Sequence, residues 1–153
     1  MDYSKFIVKE ASSQDLQLFS DLCLLVFGQG YNWPPELFEK WMKTQNAHLY
    51  LMWYKTQLVG SVMTCPQFDA EGKPIIYLYW VAISPLYQGQ GLGKHLLQKV
   101  ISQEDTVWEL GVDETNLRAR RLYEKLGFVP YETLGLQPSV RSGAKQYRLQ
   151  PNR

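Results

Sequence analysis

Chemistry is most densely written in Ile83-Ser-Pro-Leu-Tyr-Gln-Gly-Gln-Gly-Leu-Gly-Lys-His-Leu-Leu97. Gly89, Gly91 and Gly93 stand where a strand-like run, residues 75–83, meets an apolar-periodic helix carrying Leu92, Leu96 and Val100. Glycine lets the backbone approach a ligand closely, and a helix start leaves N–H groups unpaired where the dipole favours an anion. Together they form a cradle for phosphate or pyrophosphate. Two glycine motifs with different chemistry are excluded. The loop Gly-x4-Gly-Lys-Ser/Thr fails because Gln88 replaces its first glycine and His95 follows Lys94. The dinucleotide pattern G-x-G-x-x-G ends on Lys94 or Leu96. What remains is Gln88-x-x-Gly91-x-Gly93 or, taken bare, a tight turn that packs helix on sheet.

A second segment, Asn116-Leu-Arg-Ala-Arg-Arg-Leu-Tyr-Glu-Lys-Leu-Gly-Phe128, reads on its own as an amphipathic helix. Asp113 or Thr115 can cap its start and Gly127 can end it. Leu122 and Leu126, one turn apart, face the sheet, while Ala119 and Tyr123 form a second line.

Both segments resemble the GNAT superfamily of acetyl-CoA-dependent N-acetyltransferases. The first matches its signature Q/R-x-x-G-x-G/A, flanked by a strand and a Ser-Pro-x-Tyr turn. The second matches N-x-x-A-x-x-L-Y-E-K-x-G-F at every position, in the family's order. The resemblance implies a mixed, mostly antiparallel sheet with one parallel pair and helices on both faces. It implies acetyl-CoA as acyl donor and transfer of its acetyl group to a primary amine, of a small molecule or a peptide, in a ternary complex. By the same resemblance, backbone N–H groups of Gln88, Gly89, Gln90, Gly91, Leu92, Gly93 and Lys94 hold the pyrophosphate. The strand end Val81, Ala82 and Ile83 pairs with the pantetheine arm, Asn116 bonds that arm, and Tyr123 protonates the departing thiolate. A Cβ at Gly91 or Gly93 is expected to obstruct the ligand more than it harms the fold.

The chain departs from the family at the base. Many relatives carry a glutamate on the strand before the glycine loop, and here that position is Tyr77. Glu109 on the neighbouring strand is a candidate, unless alternation with Trp108 and Leu110 turns it to solvent. His95 reads as part of a solvated face, and His48 opens a strand with no partner in view. Arg118, Arg120 and Arg121 suit a ribose phosphate, with a solvated face the plainer reading for at least two of them. Tyr31, Trp33, Tyr77 and Tyr79 are candidates to hold an acceptor of some apolar character; Trp33 is equally a core residue. Arg141 is a candidate partner for a carboxylate on the acceptor. The missing carboxylate keeps open a non-catalytic acyl-CoA-binding or regulatory module, and a longer-chain acyltransferase is open within the fold.

Around these residues, 153 positions suffice for one domain with a real core. Sixteen Lys plus Arg balance fifteen Asp plus Glu, which argues for neither a nucleic-acid nor a membrane partner. Nothing separates a monomer from a homodimer. Cys23 and Cys65 lack metal spacing, no metal site is expected, and with no apolar leader a cytoplasmic protein is the plain reading. The periodicity predicts strands over 5–9, 48–54, 58–64, 75–83, 106–112, 128–132 and 145–149. It predicts helices over 13–27 (Ser12 or Ser13 capping, Leu16, Phe19, Cys23 and Val26 inward), 35–43 (Leu37, Phe38 and Trp41 inward), 91–103 and 116–126. Strand 75–83 lies parallel to strand 106–112, and both signature loops lie beyond their carboxyl ends, where ligands of such sheets collect.

Overall fold

Alternation fixes which way each strand faces. In β2 (His48–Tyr54), Leu49 and Leu51 pack with one set of helices and Tyr50 and Met52 with the other. The structure, a computed structural model, describes residues 2–131 and 144–151. The described chain runs β1 (Phe6–Glu10), α1 (Leu16–Phe27), α2 (Pro35–Gln45), β2, β3 (Gln57–Phe68), β4 (Pro74–Ile83), α3 (Leu92–Ile101), β5 (Val107–Asp113), α4 (Leu117–Lys125), β6 (Val129–Pro130) and β7 (Ala144–Leu149). The strands form one sheet in the order β1-β2-β3-β4-β5-β7-β6. Every pairing is antiparallel except β4 with β5. The expected mixed sheet and its single parallel pair are therefore present.

Each face is covered. Leu16, Phe19 and Cys23 of α1 and Phe38 of α2 bury against Leu49, Leu51 and Met63. On the other face Leu92, Leu96, Leu97 and Val100 of α3 and Tyr123 of α4 pack against Met52, Val62, Leu78 and Leu110. The helix starts follow from their caps. Ser12 and Asp15 form a capping box around a short 3-10 turn, Ser13–Asp15, so α1 proper begins at Leu16.

Two expectations need correcting. Leu37 points outward, 45% exposed, because the stripe that meets α1 runs through Phe38, Trp41 and Met42. Strand β3 runs past Thr64 to Phe68, Pro66 included. Pairing with β2 ends at Thr64, so the missing Pro66 N–H faces an open edge while β4 stays paired.

Candidate active site

The site begins where two strands part. Parallel pairing of β4 with β5 ends at Leu78 opposite Leu110, whereas β3 stays paired with β4 as far as Ile83. Beyond Leu78, β4 therefore runs on without pairing to β5. The parting coincides with a bulge: the β3 register jumps between Met63↔Tyr79 and Ser61↔Ala82, and Trp80 has φ +54°. A bulky residue in the left-handed region costs about 1–3 kcal/mol and persists only where its surroundings dictate it. Here they do. Ser61 Oγ donates to the Trp80 carbonyl at 2.8 Å, and the indole is ringed by Phe19, Phe27, Tyr31, Trp33 and Phe38. The extra residue also reverses the alternation. Tyr79 and Trp80 both pack toward α1 and α2, after which Val81 and Ile83 turn toward α3.

Beyond Ile83 comes the glycine loop. Gly89 and Gly91 take φ +83° and +79°, and Gly91 is the left-handed N-cap of α3. The first helical bond, His95 N–H to Gly91 O at 3.1 Å, leaves the preceding N–H groups at the α3 start free of helical partners. Gln88 ties the loop down at both ends of its amide. Its Nε2 donates to Ile83 O at 2.9 Å, and its Oε1 accepts from Arg118 at 3.1 Å. Tyr3, which no motif marks, donates its hydroxyl to Gln90 O at 2.8 Å.

These contacts count against the expectation that glycine changes here spare the fold, most of all at Gly91, where a side chain would be strained at φ +79°. A Cβ at Gly91 would stand 2.5 Å from the Tyr3 hydroxyl oxygen, and one at Gly93 3.2 Å from Leu122. Arg118 and Arg121 are exposed, Arg118 bracing Gln88 from the surface, while Arg120 donates to the Tyr147 hydroxyl and Glu114 O. The reading of His95 is corrected. His95 stacks on Tyr3 with ring centroids 5.0 Å apart, and burial followed by Lys99 lowers its pKa.

Asn116 caps α4, its Oδ1 accepting from Ala119 N–H at 3.2 Å. Neither Asp113 nor Thr115 takes that place. Asp113 instead binds the Thr115 N–H and hydroxyl at 2.9 and 2.7 Å. Asn116 thus has a structural duty that the sequence reading did not give it. Tyr123 is the one buried residue of α4, and its hydroxyl makes no hydrogen bond among the described residues. Burial raises its pKa well above the ordinary phenol range.

Between the parted strands lies a cleft of about 320 Å³. Tyr31, Tyr77, Tyr79, Trp80 and Val81 form one side; Gly111, Asn116, Ala119, Tyr123 and Gln146 form the other. Ala82, Ile83 and residues 88–94 follow at its β4 end and are not in its wall. Trp33 is not in the wall either. It packs on Phe38 and Trp80 at 5.1 and 5.3 Å, the core alternative of the two. Arg141 lies outside the described residues.

Glu109 is fully buried, not turned to solvent, because β5 is an interior strand covered on both faces. Its carboxylate is held by Arg148 at 2.9 and 2.5 Å and by the Tyr131 hydroxyl, all three donating to it. His48, for which the sequence shows no partner, holds Glu10 at 2.8 Å. Sequence reasoning also missed Gln146. It is 5% exposed, accepts from the Tyr77 hydroxyl at 2.8 Å, and leaves its Nε2 without a partner among the described residues. One sequence signal did exist: Gly111, alone inside strand β5, is the kind of glycine that marks a close approach. A Cβ there would meet Gln146 Nε2 and the Tyr77 hydroxyl, both at 2.8 Å.

The sequence profile of the acetyltransferase (GNAT) family matches residues 16–128. The chain belongs to that family. Over 85 residues it is 33% identical to a spermine/spermidine N(1)-acetyltransferase of Bacillus subtilis, covering 50% of this chain and 56% of that one. Over 56 residues it is 52% identical to a ribosomal protein bS18-alanine N-acetyltransferase of Haemophilus influenzae, covering 33% and 37%. The chain thus spans just over half of one of these relatives and just over a third of the other. A spermidine N-acetyltransferase of Vibrio cholerae, solved with CoA and spermine, superimposes with a TM-score of 0.72 at 16% identity, covering 95% of each chain, and shares the fold.

As a GNAT-family chain the molecule has parts that fit a pyrophosphate-bearing acyl thioester. An extended amide arm fits along β4 beyond Leu78, where its pairing with β5 ends, and an anion fits the N–H groups at the α3 start.

Proposed function

We propose that this protein transfers the acetyl group of acetyl-CoA to a primary amine of a small molecule or peptide, by direct attack in a ternary complex. The observation that carries the reading is the parted β4/β5 pair, with the glycine loop at its end and Tyr123 in the wall of the opening. Acetyl-CoA, when bound, supplies an activated thioester. The α3 N-terminus and loop 88–94 hold its pyrophosphate, and backbone donors on β4 beyond Leu78 polarise the carbonyl. The amine nitrogen forms a bond to the carbonyl carbon, the carbon–sulfur bond breaks with its electron pair leaving on sulfur, and the proton that nitrogen loses passes to solvent, giving the amide and CoA thiolate. Holding both reactants in one cleft supplies much of the acceleration.

Tyr123 meets the departing sulfur as a hydrogen-bond donor. A thiol titrates near about 8.5 and a free phenol near about 10. Burial lifts Tyr123 further, so complete proton handover runs uphill while its hydroxyl stays protonated and able to stabilise the thiolate. Cys23 and Cys65 are buried free thiols, with Cys23 pushed up to about 12 by burial, so neither serves as nucleophile. Their free state suits a reducing compartment, the cytoplasm. Among the described residues no helix is long and apolar enough to cross a membrane.

The test is thiol release from acetyl-CoA across a panel of amines, with Tyr123→Phe as control. The commitment of Glu109 to Arg148 favours one rival, a non-catalytic acyl-CoA-binding module. CoA binding without turnover on any amine would establish that rival.

A further inference from the structure

We propose that the acceptor is a primary amine with a carbonyl oxygen on the adjacent carbon, as in a peptide N-terminus or an amino-acid amide, and that Gln146 recognises that oxygen. This rests on the acetyl-transfer reading and extends it to the class of amine.

Gln146 stands on β7 in the cleft wall, 5% exposed. Tyr77 occupies its carbonyl, and its Nε2 has no partner among the described residues. A buried donor left unpaired costs about 1–3 kcal/mol, which a ligand oxygen would recover. The donor is neutral: it attracts a carbonyl oxygen and gives nothing to an ammonium. Strand β5 carries Gly111 opposite Gln146, where any Cβ would collide with both Nε2 and the Tyr77 hydroxyl. The wall is thus pared back to admit this amide pair.

The proton argues the same way from a separate observation. Asp113, the only carboxylate among the described lining residues, is committed to Thr115, and nearby Glu109 to Arg148 and Tyr131. An amine must therefore arrive largely neutral. An α-amino group titrates at about 7.7–8.0 and a lysine-like amine at about 10.4, so near neutrality the former is more than about 100-fold richer in neutral form.

The experiment compares kcat/KM with acetyl-CoA for an alanine-starting tetrapeptide, alaninamide, spermidine and difluoroethylamine, a weakly basic amine without a carbonyl. The two carbonyl-bearing amines should lead, with spermidine last; the ratio of tetrapeptide to alaninamide tells a peptide source from a small one. Gln146→Glu keeps an acceptor for Tyr77 but removes the donor, and Gln146→Met removes both. Each should weaken tetrapeptide binding to the CoA-loaded protein, by calorimetry, about tenfold or more. CoA affinity and difluoroethylamine turnover should stay within about twofold, which a merely structural role would not spare. A wild-type preference for spermidine, or equal losses for amines with and without the carbonyl, would overturn the proposal. Absence of thiol release with every amine would overturn the transfer reading and this one with it.

Discussion

The two parts of the proposed site are built from different materials. The proposed donor side is backbone: the stretch of β4 beyond its pairing with β5, left-handed glycines and the start of a helix. The proposed acceptor side is made of side chains from α4, β4, β5 and β7 and the loop after α1, brought together only by the sheet order. A backbone site needs glycines and a helix start at fixed spacing, so it is written in one stretch of sequence. A side-chain site can draw each residue from a different strand and leaves no local trace. Changes on the donor side should therefore act on CoA binding, and changes on the acceptor side on the amine alone.

The hardest test of that division is Gly91→Val. The left-handed φ and the Tyr3 contact predict loss of CoA affinity by at least about 100-fold, nearly 3 kcal/mol, in calorimetry. They also predict a lowered thermal transition, since a side chain in this conformation costs about 1–2 kcal/mol. Unchanged CoA affinity would reduce the loop to a turn.

Next in size is Tyr123→Phe, which should lower kcat about 100-fold while leaving CoA affinity within about twofold. Its pH behaviour has a definite sign. The folded pKa is raised by burial, so the hydroxyl stays protonated and the basic limb of kcat should show no loss through pH 9. The matching contribution to stability is complete below the unfolded value, about 10, and is lost as pH rises beyond it. Urea unfolding of wild type and Tyr123→Phe at pH 7 and pH 11 would measure it, with the variant less sensitive to alkali.

On the acceptor side, Gly111→Ala should displace Gln146 and Tyr77, raising the amine KM about tenfold with CoA affinity unaltered. A parallel fall in CoA affinity would dissolve the two-sided picture. Smallest is Lys94→Ala, exposed at the α3 start, which should weaken CoA binding only about threefold, an effect that fades in high salt.

The fold was legible because alternation and helical period report burial locally, and Gly89, Gly91 and Gly93 announce their turn in the sequence itself. Three things were not. Tyr3 braces Gln90 across 87 positions, a pairing no local pattern encodes. The bulge at Trp80 reverses the alternation of β4, yet residues 75–83 read as one uninterrupted strand because aromatic and aliphatic side chains follow one another without a glycine. The surroundings of Glu109 were hidden because alternation names a face without telling what covers it. On that face Arg148 and Tyr131 wait, one from the strand added last in sequence.

The ring cluster around Trp80 gives the protein an optical reporter of its own. Five aromatic side chains hold that indole with centroids 5.3–6.3 Å away, Trp33 among them at 5.3 Å. Chromophores so close and so asymmetrically fixed should couple into an intense near-ultraviolet circular dichroism band, the signal that vanishes when specific packing is lost. Because Trp80 and Tyr31 also border the cleft, an amine entering it should reshape that band and the indole emission. Acceptor binding can then be followed without label or turnover, on the side of the site that carries no motif.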